Sequence, residues 1–136
     1  MKRSGTAVWN GAGKDGKGVV STQSGVLDKN QYSYKSRFED GIGTNPEELI
    51  AAAHAGCFSM KLAFVLNEAG FTADEIQTEC FITLENGSIT ASHLVLSAKI
   101  PGIDKAKFDE AAADAKANCP VSKLLDTNIT MKATLL

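Results

Sequence analysis

The sequence lacks an excess of charge of either sign. Fourteen Lys and Arg stand against sixteen Asp and Glu, a formal net charge of −2 at pH 7. A nucleic-acid binder would ordinarily carry a basic stripe, so that class is set aside. Long apolar runs are missing as well. The most apolar stretch, Leu49 to Phe58, contains His54 and falls short of the roughly 20 residues a bilayer span needs. Lys2 and Arg3 follow Met1 without an apolar segment behind them, so no secretory signal and no membrane attachment are expected. There are only three cysteines. Without export, an oxidised disulfide framework is not expected and a cytoplasmic setting is. Repeats, linkers and low-complexity tracts are absent too, so residues 1–136, 43% hydrophobic and 22% charged, read as one domain of ordinary size.

What is present is a clear sequence of elements. Gly5 to Trp9, Lys17 to Ser21 and Tyr32 to Phe38 are short β-prone runs separated by turn residues. Thr44-Asn45-Pro46-Glu47-Glu48 combines an N-cap Asn, a Pro at the first helical position and a Glu three residues after the cap, so a helix should begin there. It should run to about Ala69, with Gly70 as its stop. Between Leu49 and Leu66 its only charged side chain is Lys61. A helix apolar on nearly all faces must be buried nearly all round, which points to a subunit partner. Ile76 to Glu85 alternates with period two, Asn86-Gly87 is a hairpin turn, and Ser88 to Ile100 returns. Asp104 to Asn118 reads as a second helix closing at Cys119-Pro120, Val121 to Leu125 as a helical turn, and Asn128 to Leu136 as a last strand. The grouping predicts an α+β fold with an antiparallel sheet.

The cysteines carry the functional question. Cys57, in the middle of the apolar helix, fits either a small core hydrophobe or a reactive thiol. An unperturbed thiol near pKa 8.5 is only a few per cent ionised at pH 7, and the helix dipole fades within the first turn, about two turns short of Cys57. A reactive Cys57 therefore needs a cation from elsewhere, and Arg37 and His54 are the residues to consider. His54 in such a helix is more often a satisfied core histidine, and Arg37 is ordinarily a solvated residue at a strand end. Cys119, before Pro120, fits a packed helix end or a sulfur the chain can reposition. Cys80 shares the alternating face of Ile76, Ile82 and Leu84 and reads as core. His54 and His93 add no short Cys-x-x-Cys or Cys-x-x-His spacing, so no metal site is expected.

The run Gly43-Thr44-Asn45-Pro46-Glu47-Glu48-Leu49-Ile50-Ala51-Ala52-Ala53-His54-Ala55-Gly56-Cys57-Phe58-Ser59-Met60 resembles the osmotically inducible protein C and organic hydroperoxide resistance family, the osmotically inducible branch most closely. Ser36-Arg37-Phe38-Glu39, Pro101-Gly102-Ile103-Asp104 and Asn118-Cys119-Pro120-Val121-Ser122 look like further blocks of that family in their usual order. The resemblance implies an intertwined α+β homodimer, antiparallel sheets wrapped around long central helices, with two active sites at the interface. It implies a thiol peroxidase acting on organic hydroperoxides and hydrogen peroxide, without a bound cofactor, regenerated by an external dithiol, notably a lipoyl-type one. By the same resemblance Cys57 is the peroxidatic cysteine, Cys119 the resolving one, Arg37 the thiolate stabiliser and Glu47 the partner of Arg37. Phe58 and Met60, with His54, are expected around the substrate.

Helix geometry adds one expectation. Glu47 lies ten residues before Cys57, about 15 Å along the axis at 1.5 Å per residue. A guanidinium touching Cys57 would then be out of reach of the same helix's Glu47, so Arg37 is expected to meet Glu47 of the other subunit. Two other functions remain open at this point: a thiol redox sensor, which the lack of a basic patch disfavours, and a non-catalytic small-molecule binding domain whose cysteines are core residues.

Overall fold

A computed structural model describes all 136 residues. They group into two compact units, Met1–Leu49 and Ile50–Leu136. The boundary falls within a continuous helix and not at a linker, which is why the sequence shows no seam.

In the first unit β1 (Gly5–Asn10), β2 (Lys17–Thr22) and β3 (Asn30–Tyr32) form an antiparallel sheet in that order. Gly18 on β2 lies beneath two rings. A Cβ there would sit 2.4 Å from the Tyr32 ring and 2.6 Å from that of Trp9, so a side chain would force both aromatics off the strand. The strand expected through Phe38 stops at Tyr32, and Tyr34–Phe38 forms a short helix, α1. Two serines override the β-prone Tyr and Phe. The Ser33 hydroxyl accepts the Ser36 N–H at 3.2 Å, and the Ser36 hydroxyl accepts the Ser33 N–H at 2.9 Å, a reciprocal cap.

Helix α2 (Pro46–Glu68) begins where the sequence places it. The Asn45 side-chain oxygen Oδ1 accepts the Glu48 N–H at 2.8 Å. The other half of the expected capping box is redirected, since Glu48 accepts the Thr44 hydroxyl at 2.5 Å. The helix ends in a Schellman motif: Gly70 has φ of 89°, its N–H donates to Asn67, and the Phe71 N–H donates to Leu66.

The second unit is built on the hairpin of β4 (Glu75–Glu85) and β5 (Ser88–Lys99). Asn86 and Gly87 turn it with φ of 49° and 78°, the left-handed pair of a type I′ turn. Strand β6 (Asn128–Leu135) pairs with β5 in parallel, so the sheet β4-β5-β6 is mixed where an antiparallel one was expected. The cause is topological. Helices α3 (Lys105–Asn118) and α4 (Pro120–Leu124) form a crossover between β5 and β6, and a crossover returns the chain in the same direction. Helix α2 buries His54, Phe58, Leu62 and Leu66, spaced four apart, in a core with Leu94, Leu96 and Ala98 of β5 and Phe108, Ala111, Ala112 and Ala115 of α3.

Within one chain α2 is not covered all round. Met60 is 66% and Phe64 60% exposed. Contrary to the reading of Leu49 to Phe58 alone, α2 has the length and apolar composition to cross a membrane, a property that core helices of soluble proteins share. Leu62→Ala should lower stability by about 3 kcal/mol through cavity formation, and Asn45→Ala by about 1 kcal/mol through loss of the cap. Urea denaturation followed by circular dichroism checks both.

Candidate active site

Cys57 sits one residue before the buried Phe58, and that 100° rotation brings it to the rim of the core, half-buried. It opens on a cavity of about 460 Å³ lined also by Met60, Lys61, Phe64, Asn118 and Pro120. Burial pushes the Cys57 thiol up, and neighbouring Cys119 adds to that, against a single opposing pull from the Val121 backbone N–H. In the isolated chain Cys57 is therefore a thiol, and no cation lowers it.

Cys119 reaches this corner because Pro120 cannot continue α3. The Cys119 N–H closes α3 on Ala115 at 3.0 Å, and its sulfur caps α4 by accepting the Ser122 N–H at 3.4 Å. The sulfur is fully buried and lies 3.0 Å from the Ser122 hydroxyl. No disulfide is formed, and all three cysteines are free.

The three residues expected around the substrate divide between the groove and the core. Met60 lines the groove, but His54 and Phe58 are fully buried. Their four-residue spacing puts them on the stripe that faces the core, away from Met60. His54 is held at both nitrogens: Nδ1 is 2.6 Å from the Ser92 hydroxyl and Nε2 is 2.8 Å from that of Ser122. Burial pushes its pKa down, so the ring is neutral near pH 7. Cys80 packs against the core as expected, yet its sulfur also lies 3.3 Å from the Ser92 hydroxyl. Burial pushes that thiol up, with the Ser92 contact opposing. No strong local signal in the sequence marks Ser92 or Ser122. Ser92 is one of the inward residues of an alternating strand, and only the run Asn118 to Ser122 marks Ser122.

In the first unit Arg37 and Glu47 form a forked pair: Nη2 donates to Oε1 at 2.6 Å, and Nε contacts both carboxylate oxygens at 3.1 Å. Both residues belong to one chain, where Arg37 was expected to meet Glu47 of the other subunit. Arg37 is on a helix and not a strand end, and the Asn45 side chain donates to the Ser36 carbonyl at 3.1 Å, tying α1 to the start of α2. The guanidinium also lies 5.1 Å from the Phe38 ring centre. No three His, Cys, Asp or Glu side chains gather as a metal site.

Burial alone would raise the Glu47 carboxyl. The Arg37 hydrogen bond, a backbone N–H and the guanidinium charge outweigh it and hold the group below the usual carboxylate range. A depressed carboxylate stabilises the fold above its unfolded pKa and loses that contribution as pH falls through the folded one. Glu47→Gln should therefore cost up to about 1 kcal/mol at pH 7, modest because Arg37 is partly exposed. The difference from the unsubstituted protein should shrink toward pH 3, as thermal denaturation across pH would show.

Residues 39–134 match the family model described as OsmC-like protein. The chain is 48% identical over 135 residues to the peroxiredoxin OsmC of Escherichia coli K12, covering 96% of this chain and 94% of that one. It is 31% identical over 122 residues to the organic hydroperoxide resistance protein OhrB of Bacillus subtilis, covering 87% and 88%. Among solved structures it resembles that same OhrB, with a TM-score of 0.66, 26% identity and 98% of each chain covered. An OsmC-like protein from Mycoplasma pneumoniae gives a TM-score of 0.79 at 14% identity, covering 100% of this chain and 98% of that one, which shows the fold. A chain with this match over most of its length, this α+β fold and a half-buried cysteine beside a buried one belongs to the OsmC-like protein family.

Proposed function

We propose that this protein is a thiol peroxidase that reduces organic hydroperoxides, and hydrogen peroxide with them. One observation carries the reading: Cys57 opens on an apolar groove, with a second free thiol, Cys119, immediately behind it. Met60 and Phe64 offer an alkyl tail a dry contact and leave its peroxide end at the sulfur. The Cys57 thiolate attacks the near peroxide oxygen, the O–O bond breaks, and the alkoxide leaves as an alcohol after protonation. Cys57 is left as sulfenic acid. Cys119 condenses with it to a disulfide and releases water, which stops further oxidation. An external dithiol, of lipoyl type among others, restores both thiols by exchange. No bound cofactor or metal takes part, and three free thiols suit a reducing cytoplasm.

Lys61 shares the groove but does not lower the Cys57 thiol, so within one chain the thiolate lacks a stabilising cation. Arg37 is held by Glu47 in the first turn of α2, and about 15 Å of helical rise separates that turn from Cys57. We therefore assign the thiolate-stabilising role at Cys57 to Arg37 of a second copy, oriented by its own Glu47. The exposed Met60 and Phe64 and a β1 strand exposed at all six residues give that copy a surface to cover, and the working unit is a homodimer. No membrane or nucleic-acid partner is part of this reading, in keeping with the near-neutral net charge of −2.

Peroxide consumption with a dithiol tests the proposal. Cys57→Ser should abolish turnover of cumene hydroperoxide, and full turnover in that variant would overturn the reading. Arg37→Ala should lower kcat/KM by about 10²-fold, the scale of a lost charge stabiliser. Its rate should recover as pH rises toward the free thiol pKa, because the thiolate then forms unaided. Cys119→Ser should complete one peroxide reduction and stall.

A further inference from the structure

The buried resolving thiol raises a problem of proton traffic. Cys119 must lose a proton to attack the Cys57 sulfenic acid and regain one when the disulfide is reduced, yet its sulfur has no exposed surface. It is not isolated, however. Its sulfur lies 3.0 Å from the Ser122 hydroxyl, which lies 2.8 Å from His54 Nε2. His54 Nδ1 lies 2.6 Å from the Ser92 hydroxyl, which lies 3.3 Å from the sulfur of Cys80. His54 and Ser92 are fully buried and Ser122 is 6% exposed, while Cys80 is only half-buried. The ring meets no charged side chain in this chain of contacts. Its partners are Ser122 of α4, Ser92 of β5 and, at 3.8 Å, Cys80 of β4.

We propose that Ser122 and His54 form a proton relay for Cys119, with Ser92 and Cys80 as its outward end. The proposal rests on the peroxidase reading. A neutral imidazole has one donor and one acceptor nitrogen, and a hydroxyl both donates and accepts, so the chain runs in either direction. In disulfide formation the Cys119 sulfur bonds to the Cys57 sulfur, and the Cys57 S–O bond breaks with loss of hydroxide. The Cys119 proton passes to Ser122 as the Ser122 proton passes to His54 Nε2. His54 gives up its Nδ1 proton through Ser92 and Cys80, hydroxide takes a proton from solvent in the groove, and the net product is water. When a dithiol attacks Cys57, Cys119 leaves as thiolate and the same path delivers its proton. Ser122 touches the reacting sulfur and is catalytic. His54 acts through it as a positioning residue.

Stopped-flow oxidation with one equivalent of cumene hydroperoxide separates the two steps. Sulfenic acid formation at Cys57 serves as the internal measure of a folded site. Ser122→Ala should slow disulfide closure about 10²-fold, the scale of lost general acid–base assistance, while Ser122→Thr, which keeps the hydroxyl, restores it. His54→Gln keeps a hydrogen bond to Ser122 but cannot carry a proton. Its closure should be slow at pH 7 and rise with hydroxide, whereas the unsubstituted protein has a flatter profile. Closure at the unsubstituted rate and pH profile in Ser122→Ala and His54→Gln would overturn the relay and leave the peroxidase reading intact. That reading fails separately if the unsubstituted protein forms no sulfenic acid. Should His54→Gln not fold, Ser122→Ala against Ser122→Thr decides the matter.

Discussion

The stripe His54, Phe58, Leu62 and Leu66 packs α2 onto β5 and α3, and the placement of the chemistry depends on it. Three apolar side chains settle the helix rotation, because turning α2 by one residue would expose Phe58 and bury Cys57. With that rotation fixed, Cys57 stands at the rim, and the cavity forms on the side of Met60, Lys61 and Phe64. The same stripe carries one polar member, His54. A buried imidazole is tolerated only because Ser92 and Ser122 satisfy both nitrogens.

The two sulfurs are brought together by unrelated devices. Helical phase places Cys57, whereas Cys119 is placed by the break between α3 and α4 that Pro120 enforces. Each device is local, but their meeting depends on the crossover that also turns β6 parallel to β5. A continuous helix through 119–120 would have carried Cys119 along α3 and away from the capping position that holds its sulfur on Ser122.

Electrostatics inside one chain oppose the chemistry proposed for it. Burial disfavours the Cys57 thiolate, and the guanidinium suited to counter this is engaged with Glu47. The second copy proposed above would supply the missing charge and cover the exposed apolar face of α2, where Met60 and Phe64 lie open. The apolar lining that suits an alkyl tail also disfavours a thiolate, so a fixed positive charge is needed where the two meet.

Much was legible in the sequence because it depends on neighbours along the chain. The Asn45 cap, the Gly70 stop, the Asn86-Gly87 turn, the alternation of β4 and the break at Pro120 are local signals, and the structure follows them. Local signals also explain the difference at Ser33–Phe38, where β-prone aromatics mask a serine capping box. Only the tertiary structure decided which face of α2 is buried, that Arg37 meets its own chain's Glu47, that β6 runs parallel, and that Ser92 and Ser122 hold His54 between two cysteines. Those contacts join residues 10, 37, 38 and 68 positions apart, and no periodicity or turn chemistry reports a hydrogen bond across such a separation.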